Sequence, residues 1–194
     1  MPTVRRATSA DREPLVQTIV RAFSNDPIWT WIFPKDRYVP CATLFATAIF
    51  EMLLPDDEIW VADDYVSGAF WAPPGPVHDR DAAFAAYLPA LAEASGDLTR
   101  LVAMSRAVDA ARPNETHWYL SVLGTEPTRQ KTGAATALLT SVLERCDASQ
   151  TAAFLETETM ANVGFYQRRG FVVVNECDLP GDGPHLWFMR RAPQ

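Results

Sequence analysis

The stretch "THWYLSVLGTEPTRQKTGAATALLTSVLERC" (residues 116–146) reads as a strand, a bare turn and a helix in immediate succession. Its first ten residues are a nearly continuous apolar run, which predicts a central strand buried on both faces. Leu138, Leu139, Val142, Leu143 and Cys146 then recur at helical spacing, predicting a helix that runs to about Ala148. Between the two lies "RQKTGAA" (129–135). The first backbone N–H groups of a helix have no internal partners, and the helix dipole adds about half a positive charge there. Such a junction holds anions. Gly133 projects nothing from its α-carbon, and Ala134 and Ala135 keep the next positions small. Thr132 can cap the helix or donate its hydroxyl, Gln130 offers an amide, and Arg129 and Lys131 add cations. The residues suit a phosphate or pyrophosphate cradle, yet a glycine before a helix is also ordinary punctuation. Neither G-x-x-x-x-G-K-[ST] nor G-x-G-x-x-G is present.

Working outward, "TVRRAT" (3–8) predicts an opening strand. A helix follows with Leu15, Val16, Ile19, Val20 and Phe23 on one face, Ser9 or Asp11 in place to cap it, and Asn-Asp-Pro ending it. "IWTWIFP" (28–34) is short and aromatic, and residues 36–54 predict a second helix. Residues 58–75 read as two strands joined at Asp63 and Asp64. Residues 79–112 predict a helical insert of one or two helices broken near Ser95 and Gly96. After the central strand and its helix come a buried strand at 152–157, a short helix at 162–170 closed by Gly170, and two final strands. This order predicts one α/β domain over 1–194.

Composition narrows the function. The chain has 194 residues, 48% hydrophobic and 21% charged, with a net charge of −7. No basic tract is longer than Arg190-Arg191, which disfavours nucleic-acid binding. No apolar run approaches the ~18 residues of a membrane span, and the N-terminus shows no signal-type apolar region. A soluble, cytoplasmic protein without membrane partners is expected. Cys41, Cys146 and Cys177 are widely spaced and odd in number, so they read as small buried hydrophobes, with neither a disulfide framework nor a metal site. His78, His117 and His185 show no partner spacing.

Two further sets of residues carry a resemblance. "QKTGAA" (130–135) fits the Q-x-x-G-x-[GA] pattern of the GNAT superfamily of acyl-CoA-dependent N-acyltransferases, and "NVGFYQRRGF" (162–171) resembles its second signature, N-x-x-x-x-Y-x-x-x-G-F. With "PTVRRAT", "WVADD", "FLET" and "LWFMRR", the chain looks similar to puromycin N-acetyltransferase and its actinobacterial relatives. It departs where many members carry a second glycine, since Lys131-Thr132-Gly133-Ala134 stands there. The resemblance implies a mixed, mostly antiparallel sheet of about seven strands flanked by helices, with the helical insert preceding the central strand.

It also implies acetyl-CoA as acyl donor, lying between strands 116–125 and 152–157. Its pantetheine arm would pair with the backbone of Leu123, Gly124 and Thr125, its pyrophosphate would rest on Arg129 to Ala135, and Asn162 would bond the amides or simply begin its helix. Acyl transfer to an amine needs a proton acceptor and a proton donor and donors for a developing oxyanion. Tyr166 is the candidate acid, or an aromatic packing the helix. Glu156 is the candidate base through a water, or a cap on the next turn. Asp26, Trp29, Trp31 and Phe33 are candidates for the amine pocket, against the reading that clustered aromatics are core. The expected acceptor is a small-molecule amine and the expected assembly a monomer or homodimer. A non-catalytic acyl-CoA sensor or a protein acetyltransferase are the alternatives.

Overall fold

The structure is a computed structural model that describes residues 2–75 and 78–194. Seven strands form one sheet: β1 (Val4–Arg6), β2 (Ile59–Ala62), β3 (Ser67–Ala72), β4 (His117–Thr125), β5 (Ala152–Thr157), β6 (Val172–Asp178) and β7 (His185–Arg191). Their order is β1-β2-β3-β4-β5-β7-β6, and every pair is antiparallel except β4 with β5. The helices are α1 (Arg12–Ala22), α2 (Pro27–Ile32), α3 (Tyr38–Leu53), α4 (Arg80–Ala85), α5 (Leu88–Ser95), α6 (Thr99–Ala111), α7 (Ala134–Ala148) and α8 (Met160–Gln167). The mixed seven-stranded sheet agrees with the expected fold class.

Two apolar clusters sandwich the sheet. One gathers Leu15, Ile19, Phe45, Phe50, Phe70, Val122, Phe154 and Phe188 beneath α1 and α3. The other gathers Trp71, Trp118, Leu120, Leu138, Leu139, Val142 and Phe171 beneath α7 and α8. β4 contributes to both because it is bulged. Phe70 opposes Val122 but Trp71 opposes Leu120, so Ser121 is an extra residue. Trp118 and Leu120 before it face α7, and Val122 after it faces α1. The run at 116–125 is therefore a central strand, but its residues alternate between buried and half-buried.

The insert contains three helices. Gly96, at φ +78°, breaks it where expected, and a further break falls at Ala86–Tyr87, where Pro89 starts the next helix. The continuous helical stretch Lys35–Asp56 has 22 residues and an 18-residue window of mean hydropathy 1.4, so it reaches the length and apolarity that no run was expected to approach. Phe45, Ala46, Ile49, Phe50 and Leu53 of this stretch pack into the core, as in the central helix of a globular domain. Cys41 and Cys146 are buried thiols, whereas Cys177 on the edge strand β6 is half-buried.

The C-terminal end is locked by Arg191, which is 4% exposed. Its guanidinium donates to both Asp147 oxygens at 2.6 and 2.8 Å and to the Arg169 carbonyl at 2.9 Å. Asp147→Ala leaves this buried cation unpaired and should cost about 3 kcal/mol in urea unfolding. Arg191 holds the Asp147 carboxyl below its ordinary 3.8 in the folded state. Its contribution is therefore present above about pH 4 and is lost as pH falls through the depressed folded value.

Candidate active site

The bulge opens the sheet. β4 and β5 pair only at His117–Tyr119 with Ala152–Phe154, and beyond Tyr119 the strands diverge. The Glu126 N–H bonds the Val66 carbonyl of the β3 side at 2.8 Å. Main-chain groups alternate along a strand, so those of Leu123 and Thr125 point away from β3 into the divergence. Both residues, with Gly124, line a cleft of about 470 Å³. An extended amide chain finds an unpaired strand edge there.

At the cleft's α7 end the chain passes through two left-handed residues, Lys131 at φ +64° and Gly133 at φ +92°. Gly133 is the α7 N-cap and no side chain caps the helix, so its first N–H groups stay free within the helix. A Cβ on Gly133 would meet no atom within 4 Å, which marks open space over the cradle. Gln130, Lys131, Thr132, Gly133, Ala134 and Ala135 all line the cleft. Of the two roles open to Thr132, it does not cap α7; its hydroxyl donates to the Arg129 carbonyl at 2.9 Å. Arg129 itself ends a short 3-10 turn and is exposed outside the lining, while Arg168 lines the cleft. These features fit a diphosphate-bearing ligand with a peptide-like arm.

Glu156 and Tyr166 line the same cleft. Strand β5 is apolar on both faces, and Glu156 interrupts it where β4 has moved away. Tyr119 donates its hydroxyl to Glu156 Oε1 at 2.8 Å, and Arg112 lies over the Tyr119 ring at 4.7 Å. Glu156 Oε2 is buried without a hydrogen-bond partner. Burial pushes the Glu156 carboxyl up to about 7, against opposing effects of Tyr119 and Arg112. The Tyr166 phenol, packed edge-on against Phe165 and Phe171, is raised by burial and then by Glu158 and Glu156. A carboxylate poised near neutrality beside a firmly protonated phenol can exchange protons in opposite senses. Asn162 also lines the cleft, and it does not begin α8: the N-cap is Thr159, whose Oγ1 accepts from the Asn162 N–H at 3.2 Å.

The structure separates the four aromatic-segment candidates. Asp26 and Trp29 line the cleft; Trp31 and Phe33 do not. Trp31 lies two residues on and so faces the opposite side of α2. Its indole N–H donates to Asp182 at 3.0 Å. Phe33 is 2% exposed and packs edge-on against Trp29 and Phe45 in the core. Asp26 caps α2, accepting from the Ile28 and Trp29 N–H groups at 3.0 and 2.9 Å. Phe23, from the same aromatic segment, also lines the cleft, and lining residues beyond those expected include Met104, Glu158, Phe165 and Arg168. Glu158 was detectable, since it follows Glu156 at the strand period of two. Met104, on the insert, had no local signal.

A family profile described as acetyltransferase (GNAT) domain matches residues 82–190. A solved Corynebacterium glutamicum structure of histone acetyltransferase HPA2 and related acetyltransferase is 27% identical, covers 100% of this chain and 97% of its own, and superposes with a TM-score of 0.72. An agmatine N-acetyltransferase is 15% identical over 98% of this chain and 99% of its own, with a TM-score of 0.69. The Drosophila melanogaster polyamine N-acetyltransferase is 16% identical over 99% and 100%, with a TM-score of 0.67. The latter two share the fold. With the profile spanning more than half of its residues, the chain belongs to the GNAT acetyltransferase family and is an acyltransferase.

Proposed function

We propose that this enzyme transfers acetyl from acetyl-CoA to a primary amine of a small molecule by direct attack, with Glu156 as general base through a water and Tyr166 as general acid. The observation that carries this reading is the unpartnered, buried Glu156 Oε2 in a cleft that Tyr166 also lines. When bound, acetyl-CoA supplies an activated thioester. Leu123 and Thr125 bind its arm through main-chain groups, and the turn from Gln130 to Ala135, with Asn162 at the cleft wall, orients it. Glu156 takes a proton from the ammonium, because only the neutral amine is a nucleophile. Tyr166 gives its proton to the departing sulfur as the C–N bond forms and the C–S bond breaks. It recovers one from the new amide nitrogen, and Glu156 releases its own to solvent.

Asp26 and Trp29 form the acceptor side, with Phe23 and Met104 beside them. Asp26 and Phe23 precede the profile match yet line the same cleft, which supports residues 1–194 acting as one domain. The similarity to puromycin N-acetyltransferase and the aromatic wall make aromatic amines, puromycin included, the first acceptors to try. The test is thiol release from acetyl-CoA across a panel of amines. Tyr166→Phe should lower kcat about 100-fold while leaving the KM for acetyl-CoA little changed. Saturable CoA binding without turnover of any amine, with Tyr166→Phe indistinguishable from the native enzyme, would establish a sensor instead. The description of the Corynebacterium glutamicum relative supports a second reading, a protein lysine acceptor. Acetyl-lysine on co-purifying protein would favour it.

A further inference from the structure

Glu156 carries its carboxyl on a flexible side chain at an opening in the sheet, so a base there needs something to hold it. β4 and β5 last pair at Tyr119 with Phe154, whose rings lie 6.3 Å apart between centroids. Phe154 and Glu156 are two residues apart on β5 and share one face. The Tyr119 side chain reaches along that face, past the last backbone pair, and donates its hydroxyl to Glu156 Oε1 at 2.8 Å. Among the described residues this is the carboxyl's one side-chain hydrogen bond, and Oε2 is buried without a partner. Glu156 lines the cleft and Tyr119 does not, so the hydroxyl meets the base from behind and touches no substrate. Arg112, which follows α6, lies over the Tyr119 ring at 4.7 Å and holds it by its π face.

Resting on Glu156 as the base of the proposed N-acetyltransfer, we infer that Tyr119 is its positioning residue: the hydroxyl occupies Oε1 and turns Oε2 to the cleft, where the proton of the amine arrives through the water. Tyr119 is neither acid nor base in this step. Burial, and then the Glu156 charge, raise its phenol well above the ordinary 10, so it remains a donor. Burial raises the Glu156 carboxyl to about 7, and the hydrogen bond from Tyr119, followed by Arg112, pulls the other way. Donation to an ionised carboxyl favours its charged form. Burial also raises Glu158 just past β5 and Tyr166 of α8, and the Glu156 charge adds to both. Asp26 of the α2 cap lines the same cleft, and Asp109 of α6 acts on Tyr119.

The experiment is the pH profile of kcat and kcat/KM for Tyr119→Phe and Arg112→Ala, with an amine the native enzyme turns over and saturating acetyl-CoA. Phenylalanine keeps the ring against Phe154 and removes only the hydroxyl. The rising limb near 7 should move up by about one pH unit or more in Tyr119→Phe. Its plateau kcat should fall about tenfold because Oε2 is no longer held, with the KM for acetyl-CoA unchanged. Arg112→Ala should move the limb the same way by less. A tyrosine that only packs the sheet would leave the limb in place. An unmoved limb in Tyr119→Phe, or a native plateau above a moved one, overturns the inference and leaves Glu156 as base. Should no amine be turned over, or Glu156→Gln keep the limb, the proposed reaction fails by itself. Infrared titration of the Glu156 carboxyl stretch, identified by its loss in Glu156→Gln, then decides: a midpoint raised in Tyr119→Phe supports the positioning, and an unmoved one overturns it.

Discussion

Glu156→Gln is expected to cut kcat/KM by about 100-fold or more and, in the same protein, to raise its stability at pH 8. Both effects have one cause. Glu156 is half-buried at the divergence of β4 and β5, with Oε1 satisfied by Tyr119 and the buried Oε2 unpartnered. Its folded pKa of about 7 lies above the ordinary 4.5. Folding therefore favours the protonated form, and holding the charge costs stability. That cost is absent below about pH 4.5, grows as pH rises, and is complete above about pH 7. Gln is neutral throughout and still accepts from Tyr119. At roughly 1.4 kcal/mol per pKa unit, the gain should reach about 2–3 kcal/mol at pH 8 and vanish at pH 4. The kinetic profile runs the opposite way. Native kcat/KM should rise with pH through a limb near 7 as the base deprotonates, and Glu156→Gln should lose that limb. Thermal melts at pH 4 and 8, paired with the pH–rate profile, measure both. A variant with native activity, or one no more stable at pH 8, would remove Glu156 from the role of base.

Gly133→Val should weaken CoA binding by about 10- to 100-fold, read by calorimetry. Gly133 sits at φ +92°, where a β-branched residue is strained. A left-handed backbone costs an ordinary L-residue roughly 1–2 kcal/mol. The added Cβ meets no protein atom, so the damage does not come from overpacking. Valine instead pulls the backbone out of the turn that presents the α7 N–H groups, and its methyls fill the space over the cradle. Gly133→Asn is the discriminating control: asparagine tolerates the left-handed region, so it should keep the turn and lose less affinity. Unchanged CoA affinity in Gly133→Val would remove the cradle.

Much of this site was legible because it is local. The run 116–125, the bare turn and the periodic leucines of α7 follow from period and chain punctuation within one window. Gln130 to Ala135 and Asn162 to Phe171 are contiguous motifs, whereas Leu123 with Thr125 followed only from the resemblance to the GNAT family, because a main-chain contact leaves no side-chain signal. Other features were not legible because they depend on partners distant in sequence. Trp29 and Trp31 are alike in composition, but the turn of a six-residue helix sends one to the cleft and the other to Asp182. Phe33 could be read as pocket or as core, and it is core. The extra break in the insert at Ala86–Tyr87 and the capping of α8 by Thr159 rest on choices among several adequate residues. Nothing in the run 116–125 marks Ser121 as the bulged position, since serine in a strand is unremarkable.

By itself, the sequence determined the order of elements, the apolar faces that stack them, and the bare glycine turn before α7, all from interactions within a few residues. Only the tertiary structure decided that β4 bulges at Ser121 and parts from β5, exposing a strand edge beside Glu156. Only packing likewise brought Asp26 and Glu158, from segments more than a hundred residues apart, into the lining of one cleft. Burial raises the proton affinities of the cleft's carboxyl and phenol groups, and it exists only once distant strands and helices share one low-dielectric space.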